Sequence, residues 1–143
     1  MPHIKKSALV PYSQEQMYRL VDQVELYPQF IPWCHSVTVF KRTEDLVEAS
    51  LCLAQGGIKK SFTTANHLQP YELIELRLVD GPFKHLEGHW RFISEPEGCR
   101  VCLDLEFEFA SHWLAVLFAP VFHQAANTLV DLFCKRAHEL YQS

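Results

Sequence analysis

The sequence predicts an α+β fold in which a curved antiparallel sheet of about seven strands grips a long C-terminal helix. Three observations predict it. Val101, Leu103, Leu105, Phe107 and Phe109 alternate with Cys102, Asp104, Glu106 and Glu108, the period of two of a strand with one buried face. Between residues 35 and 110, short alternating segments follow one another through tight turns such as Gly56-Gly57 and Glu97-Gly98, as an antiparallel meander requires. From Trp113 to about Gln142 the apolar positions recur at three and four, marking a helix long enough to cross the sheet.

Taken in order, His3 to Val10 reads as a strand ended by Pro11. Ser13 and Gln16 then give the S-x-x-Q capping box of a helix running to about Val24, with Met17, Leu20, Val21 and Val24 as its buried stripe. Pro28 and Pro32 break the next stretch, so YPQFIPWC at 27 to 34 is a short helical turn and loop carrying three aromatic rings. Strands follow at about 35 to 43, 46 to 55, 58 to 69, 72 to 80, 84 to 94 and 99 to 110. Ile74, Leu76 and Leu78 share one phase, as do Leu86, Gly88, Trp90 and Phe92. In the last helix Pro120 has no N–H to give and is expected to kink or delay it near Val116 to Pro120, leaving 113 to 119 as a separate turn.

A chain of 143 residues, 48% hydrophobic, has the size and core of one domain covering 1 to 143. Its 13 Lys plus Arg against 17 Asp plus Glu, a net charge of −4, argue against a general grip on DNA. MPHIKKSALV lacks the apolar core of a secretory signal, and the longest apolar run, Trp113 to Val121, falls short of the ~20 residues of a membrane span, so the protein is expected in the cytoplasm. Five cysteines on strand and helix patterns read as reduced thiols; Cys99 and Cys102 are a lone C-x-x-C whose members point to opposite faces of a strand.

The pattern carries no nucleophile elbow, phosphate-binding loop or dinucleotide fingerprint, and Asp104, Glu106 and Glu108 are the solvated face of a strand, so no catalytic residue is assigned. His85 and His89 stand about 13 Å apart on a strand, too far to share one ion, and no metal is expected. What remains is binding, since twist opens the sheet away from the helix and leaves an apolar groove.

YPQFIPWC at 27 to 34 and VDGPFKHLEGHWRF at 79 to 92 resemble signature stretches of the coenzyme Q-binding START-like family, part of the polyketide cyclase/dehydrase-like superfamily. Strand order, the Lys60-Ser61-Phe62-Thr63 stretch and the terminal helix extend the resemblance over the whole chain. It implies a START-like helix-grip domain that is no enzyme and holds ubiquinone or a similar polyprenyl lipid, in support of respiration, with transient contact at the inner-membrane surface. The family's bacterial branch includes a ribosome-association toxin, which implies as the alternative a regulator that binds the large ribosomal subunit and blocks subunit association. The chain departs from several relatives in having Ala65 before Asn66, where they place a basic residue.

On this basis Tyr27, Phe30 and Trp33 are expected as a lid over the groove mouth, Trp33 foremost, with Phe83 after Asp80-Gly81-Pro82 as an aromatic at the entrance. Phe62, Leu78, Trp90, Phe92, Leu105 and Phe107 are the expected sheet walls, and Phe118, Phe122 and Leu129 the helix wall. Lys60 shares the phase of Ile58 and Phe62, so its ammonium must reach a polar head group or snorkel out at the strand edge. For the ribosomal alternative, Lys5, Lys6, Lys41, Arg42, Lys59 and Lys60 are the expected basic patch.

Overall fold

The computed structural model describes residues 3–141. Strand β1 (His3–Val10) leads into helix α1 (Gln14–Asp22) and a six-residue 3-10 segment (Val24–Gln29). Six strands follow, β2 (Cys34–Arg42), β3 (Leu46–Gln55), β4 (Ile58–Gln69), β5 (Leu73–Asp80), β6 (Phe83–Glu95) and β7 (Gly98–Phe109), and then helix α2 (His112–Tyr141). The sheet order is β1-β7-β6-β5-β4-β3-β2, and every neighbouring pair is antiparallel. This is the START-like helix-grip plan: a six-stranded meander whose last strand also pairs with the first, Ile4 standing opposite Leu105.

The capping box forms as its spacing requires. Ser13 Oγ accepts from the Gln16 N–H at 3.1 Å, while Gln16 Oε1 accepts from the Ser13 N–H at 2.9 Å. Gln23 leaves the helical region at φ −80°, ψ 66°, so α1 stops at Asp22 and Val24 opens the next turn. Extra residues interrupt β2 between Cys34 and Ser36 and between Val39 and Lys41, β5 at Val79 opposite Thr63/Thr64, and β6 between Phe83 and His85, and such bulges bend and twist the strands around α2. Gly88 is required where β6 meets β7, because a Cβ there would stand 2.2 Å from the Asp104 carbonyl oxygen.

One helical expectation changes. Pro120 neither ends α2 nor leaves 113 to 119 as a separate turn: the helix is continuous from His112. The carbonyl deprived of its donor belongs to Val116, an exposed residue, so water can satisfy it without a break. The end expected at Gln142 lies outside the described residues. By length and apolarity α2 matches a membrane span, but Phe122, Ala125, Ala126, Val130, Phe133 and Ala137 bury one face of it on the sheet, which is how a core helix behaves.

Candidate functional site: an apolar cavity between sheet and helix

Phe107, Phe133, Val101, Met17 and Val47 are almost wholly buried, and beside them the sheet stays slightly clear of α2. The gap is a cavity of about 90 Å³ lined by Val24, Tyr27, Trp33, Leu51, Leu53, Phe62, Thr64, Asn66, Leu76, Leu86, Trp90, Leu105, Phe122, Ala125, Ala126, Leu129 and Phe133. A second of about 20 Å³ lies toward the N-terminal half of α2, walled by Lys60, Pro82, Phe83, Phe109, Phe118 and Val121, and shares Leu53, Phe62 and Phe122 with the first. The Phe62 and Phe122 rings, edge to face at 5.9 Å, therefore belong to both spaces.

Of the residues singled out from sequence, Tyr27, Trp33, Phe62, Trp90, Leu105, Phe122 and Leu129 meet around the larger cavity. Lys60, Phe83 and Phe118 meet around the smaller one. Phe30, Leu78, Phe92 and Phe107 line neither. Phe92 packs edge-on to Tyr18 at 5.7 Å, and its carbonyl accepts from Gln14 Nε2, so it faces α1 rather than the cavity. Phe107 is fully covered by Phe109 and Phe122, and Leu78 lies beside Gly81.

The expected lid is a piece of the core instead. Tyr27 is 8% and Trp33 9% exposed; the 3-10 turn around Pro28 sets the Tyr27 ring edge-on to Phe133, while Phe30 stays half-buried between Phe133 and the Arg136 guanidinium. Phe83 is likewise buried, stacked on Phe109 at 4.8 Å, since it is already the first residue of β6. Lys60 does snorkel: the residue is exposed and its Nζ stands 5.7 Å from the centroid of the Phe118 ring.

Sequence reasoning passed over the polar groups of the wall. Thr64 and Asn66 are both 7% exposed, and the Thr64 hydroxyl donates to Asn66 Oδ1 at 2.9 Å. They share the inward phase of β4 with Phe62 and Leu68, and polar residues on an apolar phase were the available signal. The Tyr27 hydroxyl donates to the Val21 carbonyl; burial pushes its pKa well above the ordinary phenol value, so the proton stays on. The Trp33 indole N–H is buried with no acceptor, a state that costs about 1–3 kcal/mol. Burial also pushes the Cys34 and Cys99 thiols up to about 11, which makes them structural rather than reactive.

On the outer face Glu87 and Glu106 stand directly opposite each other across β6 and β7. His85 lies between them, its Nε2 at 3.6 and 3.8 Å, and His3 and Arg77 flank the pair at 3.9 Å, so the Arg77 guanidinium offsets part of the repulsion. The expected basic patch does not assemble. Lys5 and Lys6 are on β1 and Lys41 and Arg42 on β2, opposite edges of the sheet, while Lys59 and Lys60 follow the β3–β4 turn; Arg42 is also engaged by Asp22 and Glu25 at 3.1 and 3.2 Å.

Residues 10–134 match the model of the family described as polyketide cyclase/dehydrase and lipid transport. The chain belongs to that family. Over 140 residues, 97% of each chain, it is 44% identical to a protein of Pseudomonas aeruginosa named ribosome association toxin. It is 31% identical over 137 residues to the mitochondrial coenzyme Q-binding protein of Dictyostelium discoideum, covering 92% of this chain and 67% of that one. Its backbone matches an aromatase/cyclase of Streptomyces at a TM-score of 0.86 over 99% of this chain and 96% of that one; at 14% identity, that likeness establishes the START-like fold alone. The names of the two sequence relatives describe association and binding rather than catalysis. The family's description includes lipid transport, and its fold is one that binds hydrophobic ligands.

Proposed function

We propose that this protein binds an isoprenoid lipid of the ubiquinone class in the cavity between the sheet and α2, without catalysing a reaction on it. The observation that carries this is the wall itself: among the described residues that line the larger cavity, none is charged, and all but Thr64 and Asn66 are apolar or aromatic. Burial of an isoprenoid chain at about 25 cal/mol per Å² supplies affinity with no chemistry. The name of the Dictyostelium relative supports the ligand class.

Its size sets a condition. Ligand cavities are commonly about 300–1,000 Å³, and spaces of about 90 and 20 Å³ hold a ring or a short segment of chain. A polyprenyl tail enters once Phe62 and Phe122 part and the two spaces join. It then leads toward the exposed Trp113, Val116 and Leu117 on the N-terminal half of α2, a face suited to brief contact with the inner-membrane surface, where the ligand would be collected or delivered. Solvent extraction of protein purified from its own host, followed by mass spectrometry, is expected to yield near-stoichiometric quinone; an empty extract together with no uptake of added quinone would refute the proposal.

A second function is favoured by the 44% identity to a ribosome association toxin over nearly the full length of both chains. On that reading the protein works in the cytoplasm, binds the large ribosomal subunit through its outer surface and opposes subunit association. Sucrose-gradient sedimentation tests it. Added protein is expected to move 70S particles toward free subunits, and an unchanged profile at several-fold molar excess would exclude it.

A further inference from the structure

The larger cavity has a hydrogen-bonding imbalance. Several of its lining side chains carry N–H or O–H groups. Tyr27 gives its hydrogen to the Val21 carbonyl, and Thr64 gives its own to Asn66 Oδ1. The Asn66 amide hydrogens stand outside the Thr64 bond, and the Trp33 indole N–H is buried with no acceptor. A buried donor without a partner is rare in native proteins, and where it persists it has a use. The buried donor on this wall that lacks an acceptor is the Trp33 N–H.

We infer that the cavity selects its ligand through an acceptor oxygen, a carbonyl of the quinone, ketone or ester class, that takes the Trp33 N–H, with the Asn66 amide as a second donor on the same wall. The inference rests on the apolar-ligand function proposed above and adds a specificity to it. A plain isoprenoid hydrocarbon would fill the space and leave the Trp33 N–H orphaned. A carboxylate would bring a charge into a cavity whose described lining holds no cation. A hydroxyl could accept from Trp33 but would bring a donor that needs a partner of its own. A quinone ring carries two carbonyl oxygens and no donor, which is the complement of this wall. Trp33 thereby acquires a role other than that of a lid: it reads the head group from inside the core.

The test compares wild type with Trp33→Phe, which keeps an aromatic ring and deletes the N–H, and with Asn66→Leu. The probes are a short-chain ubiquinone and squalene, an isoprenoid without oxygen, with Kd measured by calorimetry for each. Trp33→Phe is expected to weaken ubiquinone about tenfold and to leave squalene unchanged, and Asn66→Leu to weaken ubiquinone less. Because the substitution removes an orphaned donor, the Tm of Trp33→Phe is expected to equal or exceed that of wild type. In wild-type protein labelled with nitrogen-15, the Trp33 indole proton is expected to move downfield with ubiquinone and not with squalene, a readout that needs no variant. Equal ubiquinone affinity in Trp33→Phe, or equal loss of both probes, overturns the inference and leaves the ligand-binding proposal standing. A wild-type protein that takes up squalene but not ubiquinone overturns both.

Discussion

Phe122 is the side chain on which stability and access to the cavity both turn. Its ring lies 4.7 Å from Phe107, 4.9 Å from Phe83, 5.9 Å from Phe62 and 6.0 Å from Phe109, edge to face in every case, and it is 8% exposed. Replacing a buried Phe with Ala costs about 3–5 kcal/mol, and the loss of four aromatic edges places Phe122→Ala toward the upper part of that range. Against a total of about 5–15 kcal/mol for a domain, the variant remains folded but marginal. At about 2–4 °C per kcal/mol for a chain near this size, its Tm falls by about 10 °C or more. The same ring separates the two cavities, so its removal joins them and adds the space of a phenyl group. Phe122→Ala is therefore expected to lose stability in urea while taking up short-chain ubiquinone faster than wild type. Phe122→Leu, which keeps most of the volume, is expected to lose only about 1–2 kcal/mol. A loss under ~1 kcal/mol in the alanine variant, or an uptake rate no different from wild type in folded protein, would refute the assignment of Phe122 as the partition.

Three further outcomes can be checked. Gly88→Ala places a methyl group 2.2 Å from the Asp104 carbonyl oxygen and 2.9 Å from the Leu105 Cα, so β6 and β7 must separate; equilibrium denaturation is expected to show a loss of at least ~2 kcal/mol, well beyond the usual cost of overpacking a flexible site. Burial raises the Cys34 and Cys99 thiols to about 11, and an acid whose folded pKa is raised contributes its full stability below the unfolded value near 9 and loses it as pH climbs toward 11; urea midpoints are therefore expected to fall between pH 8.5 and 10.5, less so with both residues changed to Ser or Ala than in wild type. In hydrogen exchange, α2 amides before Phe122 are expected to exchange faster than those from Ala125 to Ala137, because Trp113, Val116 and Leu117 are exposed while the later stretch is anchored; uniform protection along α2 would contradict this.

Periodicity made the sheet legible because each strand buries one face. The β7 alternation needs no partner to be read, and all seven strands lie within a residue or two of where their patterns put them. What periodicity cannot carry is the third dimension. Leu51, Leu53, Leu76, Leu86 and Phe133 were as apolar as the residues singled out, and only the curvature of the sheet decides that they face the cavity while Phe92, in phase with Trp90, faces α1. The lid failed for a related reason: prolines announce a fixed backbone but not the direction in which it turns its rings. Pro120 failed through burial, since a proline whose freed carbonyl meets solvent need not interrupt a helix.

The distribution of burial along α2 then determines how a cavity of this size can serve a long ligand. Phe122 is the first residue of α2 to be buried against the sheet, and the residues before it are half-buried or exposed. The helix is thus held at Ala125, Ala126, Val130, Phe133 and Ala137 and lightly held from His112 to Val121. Opening at the light end costs the contacts of Phe118, Val121 and Phe122, whereas opening at the anchored end would break the Phe133 contacts with Trp90, Tyr27 and Phe30. Pro120, having no N–H to bond Val116, removes one backbone bond within the light segment and lowers the cost of bending there. The entrance therefore belongs at the N-terminal half of α2, beside Lys60 and the buried Phe83.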